Sequence, residues 1–325
     1  MRRPSVPLRR RTLLGGLAPA LALVQPAAAE AFPARPLRLV VPFAPGGGLD
    51  AVGRILAQHL APGLGQQMVV ENRTGAGGAV GTDVMAKAAP DGYTLALLSP
   101  GTATIGPVIR PSPYDPLSFG YVSRVVASPL FLICAQDYPP ADLAAFIAEQ
   151  RRRPDATRFG TAGIGTSMHL AGELLKLRLD IQMLHVPYRG VGPALTDLAA
   201  GNIDVCFSDA SAWPAVQQGQ FRLLAVTSPE RWAEAPQVPA IAEVVSGYGV
   251  TNWYGVASPA GTPEDRRLRL HREIVRVLAD PQVVAALRGL GYGPAPLAPE
   301  AFAAFVRAEY EVWGQVVRAA HISAG

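Results

Sequence analysis

Cysteine and histidine are scarce in this chain, and their placement removes several chemistries at once. Only two cysteines and five histidines occur in 325 residues. The histidines, at 59, 169, 185, 271 and 321, are scattered without metal-ligand spacing, and there is no C-x-x-C pair. Cys134 and Cys206 each sit inside an apolar, strand-like run, Phe131 to Ala135 and Ile203 to Phe207. Two buried free thiols are one reading of that placement, and a bridge formed in an oxidising compartment is the other. G-x-S-x-G and H-E-x-x-H are missing too, so the commonest hydrolase and zinc-protease signatures do not apply. After residue 31 no apolar run approaches the roughly 20 residues that a spanning helix needs.

An excess of positive charge is also missing from most of the chain. Residues 1–31 read as an export signal: Arg9, Arg10 and Arg11 precede the apolar run Leu13 to Val24, and Ala27-Ala28-Ala29-Glu30-Ala31 offers a cleavage site. Arg10-Arg11-Thr12-Leu13-Leu14 also has the form of a twin-arginine motif. That segment holds five of the 29 basic and one of the 25 acidic side chains, which leaves 24 of each in the remainder. The expected mature protein is formally neutral, which speaks against nucleic-acid binding or a polybasic membrane patch. Its location is expected to be the periplasm.

What is present is a hydrophobic content of 49% with 33 glycines and 31 prolines. This suits a large core carrying many turns. Short aliphatic runs alternate with segments of helical period, the mark of an α/β fold with parallel strands. Expected strands are Leu37 to Val41, Met68 to Glu71, Thr94 to Leu98, Tyr121 to Val126, Leu130 to Ala135, Arg158 to Gly160, Met183 to Val186, Ile203 to Phe207 and Leu223 to Val226. The clearer expected helices are Asp50 to Leu60, Ala79 to Ala88, Ala141 to Arg152, Ser167 to Leu179, Gly192 to Ala200 and Pro263 to Ala279, the last with Thr262 as its cap. Phe302, Phe305, Val306, Trp313, Val316 and Val317 repeat at a three-four spacing that predicts a final helix docked on its own domain.

Two turns carry the chemistry. Val40-Val41-Pro42-Phe43-Ala44-Pro45-Gly46-Gly47-Gly48-Leu49-Asp50 is a strand that runs through three glycines into a helix. Phe159 to Thr166 repeats the device, leading into Ser167-Met168-His169. Glycine lets the backbone turn sharply and approach a ligand closely. The first N–H groups of a helix have no intrahelical acceptor, and the macrodipole adds about half a positive charge there, so each turn is an anion seat. Thr161, Thr166 and Ser167 add hydroxyls that either donate to a carboxylate or cap the helix. Gly75 to Gly81 superficially resembles a dinucleotide loop, but its spacing is G-x-G-x-x-x-G and no acidic residue closes a strand about 20 positions later. Asn72 to Gly81 is expected to be a tight turn near the cleft.

Val41 to Gly47, followed by Val70-Glu71-Asn72-Arg73-Thr74-Gly75-Ala76-Gly77-Gly78 and Pro90-Asp91-Gly92-Tyr93-Thr94-Leu95, resembles the Bug family. His185-Val186-Pro187-Tyr188-Arg189-Gly190, Cys206-Phe207-Ser208-Asp209 and Asn252 to Pro263 extend the similarity. These proteins are the periplasmic substrate-binding subunits of tripartite tricarboxylate transporters. The resemblance implies a type II periplasmic binding protein with two interleaved α/β lobes joined by a hinge. Lobe 1 would be residues 32–126 plus 251–325, and lobe 2 residues 127–250, with the hinge near Ala127 and Val250. It also implies a monomer without cofactor that captures a small organic carboxylate for membrane transporter subunits or a sensor protein, not an enzyme. The candidate ligand contacts are Phe43, Ala44, Gly46, Gly47, Asp50, Ser99, Thr161, Gly163, Ile164, Gly165, Thr166, His169, Tyr188 and Asp209. Ala44, Gly46 and Gly47 are expected to supply N–H groups from one side, and Thr161, Gly163, Gly165 and Thr166 donors from the other. Tyr188 as a half-buried ring, Asp209 as a helix cap and His169 as a packing residue are the alternatives for those three. Asn252 to Val256 is read as architectural. An exported cofactor-dependent oxidoreductase is the competing function.

Overall fold

The computed structural model describes residues 32–319; the expected signal segment and its twin-arginine motif lie outside them. Eleven strands run along the described residues. They are β1 (Leu37–Val41), β2 (Met68–Asn72), β3 (Thr94–Leu98), β4 (Gly120–Pro129), β5 (Phe131–Ala135), β6 (Arg158–Thr161), β7 (Leu184–Pro187), β8 (Val205–Ser208), β9 (Phe221–Val226), β10 (Thr251–Ser258) and β11 (Gly293–Leu297). The α-helices are α1 (Gly48–Leu64), α2 (Ala79–Ala86), α3 (Gly106–Ile109), α4 (Leu143–Arg152), α5 (Ser167–Leu179), α6 (Val191–Ala199), α7 (Trp213–Gln217), α8 (Glu264–Leu278), α9 (Pro281–Gly289) and α10 (Pro299–Ala319). None is long and apolar enough to cross a membrane.

The strands form two sheets, ordered β11-β4-β10-β3-β1-β2 and β7-β6-β8-β5-β9. In each sheet a parallel core carries the glycine turn: β1 between β2 and β3, and β6 between β7 and β8. An antiparallel strand follows on one side, β10 in the first sheet and β5 in the second. Parallel strands joined through helices place their C-terminal ends, and the helix starts that follow, on one edge. The core strands are aliphatic on both faces, as burial under helices requires; Leu39, Val40 and Val41 have no exposed surface.

The chain passes from the first sheet to the second between β4 and β5, and returns between β9 and β10. Thr227 stitches the two passages. Its Oγ1 accepts from Leu130 N–H (2.9 Å) and donates to Val250 O (2.6 Å), while its backbone bonds Leu130 O (3.0 Å) and Val250 N (2.8 Å). One apolar cluster takes Val41, Leu49 and Tyr254 together with Phe131, Ala194 and Cys206, so core packing continues from sheet to sheet.

Several boundaries differ from expectation for local reasons. α1 continues past Leu60 through Pro62 to Leu64, and Gly65 in the left-handed region ends it. α8 starts one residue late, because Thr262 Oγ1 donates back to Pro259 O (2.9 Å) and Pro263 takes the cap position. α10 presents its apolar face as expected, but not to one sheet alone. Phe302 and Val306 pack on Tyr121 and Trp253, whereas Trp313 and Val317 join the cluster of Phe146 and Phe159. Both cysteines are buried and free.

Candidate functional site

The turn after β1 and the turn after β6 are built alike, position by position. Gly46 (φ +88°) and Gly165 (φ +79°) occupy matching places two residues before their helices, in a region that only glycine enters without strain. In each case the glycine N–H donates to the side chain four residues on. Gly46 N–H meets Asp50 Oδ2 at 3.2 Å, and Gly165 N–H meets His169 Nδ1 at 3.4 Å. Asp50 and His169 thus tie each turn to the first turn of its helix.

The two ties differ in charge. Burial disfavours an ionised Asp50, but hydrogen bonds from Arg54 Nε (3.0 Å), Asn72 Nδ2 (3.0 Å) and Gly46 N–H outweigh it and hold its carboxyl below the ordinary range. Asn72 Nδ2 also donates to Phe43 O (3.0 Å), so β2 clamps the turn from the side. His169 is instead buried and stacked on His185 at 4.3 Å between ring centroids, with Glu173 Oε1 3.9 Å from its Nε2. Burial pushes the imidazoles of both residues toward neutrality; for His185, burial followed by the nearby charge of His169 lowers its pKa to about 3. His185 Nε2 lies 2.7 Å from Thr161 Oγ1, which accepts from Gly163 N–H (3.1 Å).

These bonds occupy several of the expected donors, although the N–H of Gly47 has no acceptor among the described residues. Ala44 N–H is taken by Arg189 O (3.3 Å), Gly163 N–H by Thr161, and Thr166 N–H by Gly163 O (3.3 Å). With Gly46 and Gly165 also engaged, the other free N–H groups fall later, in the first turns of the helices. Those of Gly48, Leu49 and Asp50 in α1, and of Ser167 and Met168 in α5, have no acceptor among the described residues. Thr166 caps α5, its Oγ1 accepting from His169 N–H (3.3 Å) and donating to Gly163 O (2.7 Å).

All five of those residues line one cavity between the two sheets. Of the expected contacts, Phe43, Ala44, Gly47, Asp50, Ser99, Thr166 and Asp209 are on its wall. Gly163, Ile164 and Tyr188 line a wider adjoining cavity, with Gly75 to Gly78, Arg110 and Arg189. The two cavities share Phe43 and Ala162. Gly46, Thr161, Gly165 and His169 are on neither wall and act beneath the turns. Tyr188 donates to Asp197 (2.7 Å); burial first, and that donation second, raise its phenol.

Three features of the cavity were missed from sequence. A third helix start reaches it: α6, capped by Gly190, contributes Val191. Gly190 carries the signal, but a lone glycine before Val191 resembles many turns. Asn252 and Tyr254, two residues apart on β10 and so on one face of the strand, form part of the wall and are not merely architectural. Finally, Asp209 is drawn into a buried network. Tyr254 Oη donates to its Oδ2 at 2.5 Å and lies 3.1 Å from Tyr292 Oη, while Ser211 donates to Oδ1 through both N–H and hydroxyl. Burial, and then the Asp209 charge, keep both tyrosines firmly protonated. Gly48 packs against this network. A Cβ there would stand 1.9 Å from Tyr292 Oη and 2.7 Å from Asp209 Oδ2, whereas one at Gly47 would meet nothing closer than 3.8 Å. Gly48, rather than Gly47, is the position that the packing requires to be glycine.

Among the described residues, no Lys, Arg or His lines the first cavity; backbone dipoles supply positive potential there.

Comparison with known proteins agrees with this geometry. Residues 52–322 match the model of the tripartite tricarboxylate transporter family receptor. The chain is 38% identical over 307 residues to the protein BugT of Bordetella pertussis, covering 91% of this chain and 92% of that one. Among solved structures, an R. palustris protein with adipate superimposes with a TM-score of 0.86 at 32% identity, covering 90% of this chain and 99% of that chain. MatC from Rhodopseudomonas palustris, with bound malate, gives 0.83 at 33%, covering 88% and 100%. The fold is that of periplasmic binding proteins of this type, and the oxidoreductase alternative has no place among substrate-binding proteins. The chain belongs to the tripartite tricarboxylate transporter receptor family, the Bug-type solute-binding proteins.

Proposed function

We propose that this protein captures a small carboxylate in the periplasm and delivers it to integral-membrane transporter subunits or to a sensor protein. One observation carries the reading: three helix starts, from α1, α5 and α6, converge on a single cavity that has no cationic side chain among the described residues. A helix N-terminus contributes about 0.3 to 1 kcal/mol to an anion, and about 2 when partly buried. Several charge-assisted hydrogen bonds added to three such ends suffice without an arginine. The adipate- and malate-bound neighbours are consistent with this class of ligand.

In this reading residues 32–126 with 251–325 form one lobe and 127–250 the other, and they close on the ligand about the passages near Ala127 and Val250. Residues 1–31 direct export, and the mature protein acts as a monomer. Phe43, Ala44, Gly47, Asp50, Ser99, Thr166 and Asp209 form the ligand wall, with Gly163, Ile164 and Tyr188 at its mouth. Gly46, Thr161, Gly165 and His169 hold the turns in shape.

A thermal-shift screen across dicarboxylates, acidic amino acids and aromatic acids tests the class. A bound acid at 100 times its Kd stabilises the fold by about 2.7 kcal/mol, a clear rise in Tm. A flat response to every acid contradicts the reading.

A further inference from the structure

One buried donor on the cavity wall is left unanswered. Asn252 is 1% exposed, and its Nδ2 makes no hydrogen bond of ordinary length among the described residues, although its side chain acts on the nearby Tyr254 hydroxyl. Its Oδ1 accepts from Ser167 Oγ at 3.4 Å, which orients the amide. Ser167 is also the first residue of α5, so the unanswered donor lies beside one of the helix starts assigned above to the carboxylate. A buried amide donor is costly to leave unpaired, and such groups in native proteins usually await a partner. The partner here would be a second ligand oxygen a few bonds from the carboxylate.

The charge of that oxygen is constrained by its surroundings. Among the described residues, the wall carries two carboxylates, Asp50 and Asp209, and no cation. Arg54 answers Asp50, but Asp209 has no ion-pair partner among the described residues. A second carboxylate placed at Asn252 would face an unneutralised charge in a buried site, whereas a hydroxyl or carbonyl oxygen would not. An ammonium group could only donate and would leave Nδ2 unpaired.

We propose that Asn252 is a specificity-determining residue, and that the preferred solute is a 2-hydroxy or 2-oxo carboxylate whose second oxygen accepts from its amide. This rests on the carboxylate reading above. Any further carboxylate on the solute would point to the wider cavity, toward Arg110 and Arg189.

Titration calorimetry on matched acids separates the two proposals. The probes are L-malate against succinate, L-lactate and pyruvate against propionate, mandelate against phenylacetate, and L-aspartate against L-malate. The wild-type protein should bind the hydroxy or oxo member of at least one set about 10-fold or more tighter than its deoxy and amino counterparts, since a site built around a hydrogen bond rejects the analogue that lacks it. Asn252→Leu, and Asn252→Ser should the larger change impair folding, should reduce that preference to under about 3-fold while deoxy binding persists. Equal affinities within every set, tighter aspartate than malate, or a preference that survives both variants overturns the assignment of Asn252 and leaves the carboxylate reading standing. Failure of all these acids to bind overturns both.

Discussion

The two glycine turns share one backbone and differ in what holds it. After β1 the tie is an ionised Asp50, gripped by Arg54 and Asn72 and open to solvent through the half-exposed arginine. After β6 it is a neutral His169, stacked on His185 and closed off from solvent. The same geometry is therefore reached once by charge-assisted hydrogen bonding and once by desolvated aromatic packing. In both, the positive-φ glycine spends its N–H on the tie, which leaves the following helix N–H groups for a ligand. In the proposed function the turn is mainly scaffold and the first helical turn meets the ligand.

The contrast breaks most severely at the start of each helix. Gly48→Ala drives a methyl into Tyr292, Tyr254 and Asp209, so a cost of about 3 kcal/mol and loss of carboxylate binding are expected. Ser167→Ala, at the matching position of α5, should cost less than about 1 kcal/mol. Comparable denaturation midpoints and affinities for the two variants would contradict the packing argument. A smaller effect is expected at the clamp. Asn72→Ala removes the bonds to Phe43 O and Asp50 Oδ1, costing about 1 to 2 kcal/mol in urea denaturation and quickening hydrogen exchange at Gly46 but not at Gly165.

Acid provides the mildest probe and separates the turns by pH. The folded-state pKa values of His169 and His185 lie below the ordinary 6.5, so the unfolded chain takes up protons first. Their contribution to stability is complete above pH 6.5 and declines as pH falls toward about 3, the value for His185. Asp50 is depressed from 3.8, so its contribution is complete above that value and is lost only below it. Between pH 6 and 4.5 exchange should therefore quicken at Gly163 and Gly165 before it does at Gly46. His185→Phe should flatten part of that slope. Simultaneous loosening of both turns would show that the ties do not differ as described.

Much of this was legible in the sequence because glycine leaves a conformational signature. The runs at 46–48 and 160–165 located both turns, and seven of the expected contacts share one wall. What stayed hidden depends on contacts distant in sequence. Beside Gly47, the free N–H groups belong to Gly48, Leu49, Asp50, Ser167 and Met168, because Arg189, Asp50, Thr161 and His169 occupy those of Ala44, Gly46, Gly163 and Gly165. Asn252 reaches the wall only because β10 pairs between β3 and β4. β11, Gly-Pro-Ala-Pro-Leu, is not among the expected strands; it is an edge strand with a broken register, where proline is tolerated. Glu309 is a final example. Burial raises its pKa to about 7 despite the hydrogen bond from Trp253 Nε1 (2.7 Å), and nothing in its helical neighbours announces that.

The claim at the centre is that backbone amides from both helix starts grip one anion together. Nuclear magnetic resonance on 15N-labelled protein, titrated with a carboxylate identified in the thermal screen, reads it directly. The amide signals of Gly48, Leu49 and Asp50 should move together with those of Ser167 and Met168, along curves that fit a single Kd. Movement confined to one helix start, or two sets of signals saturating at different concentrations, would contradict the shared grip.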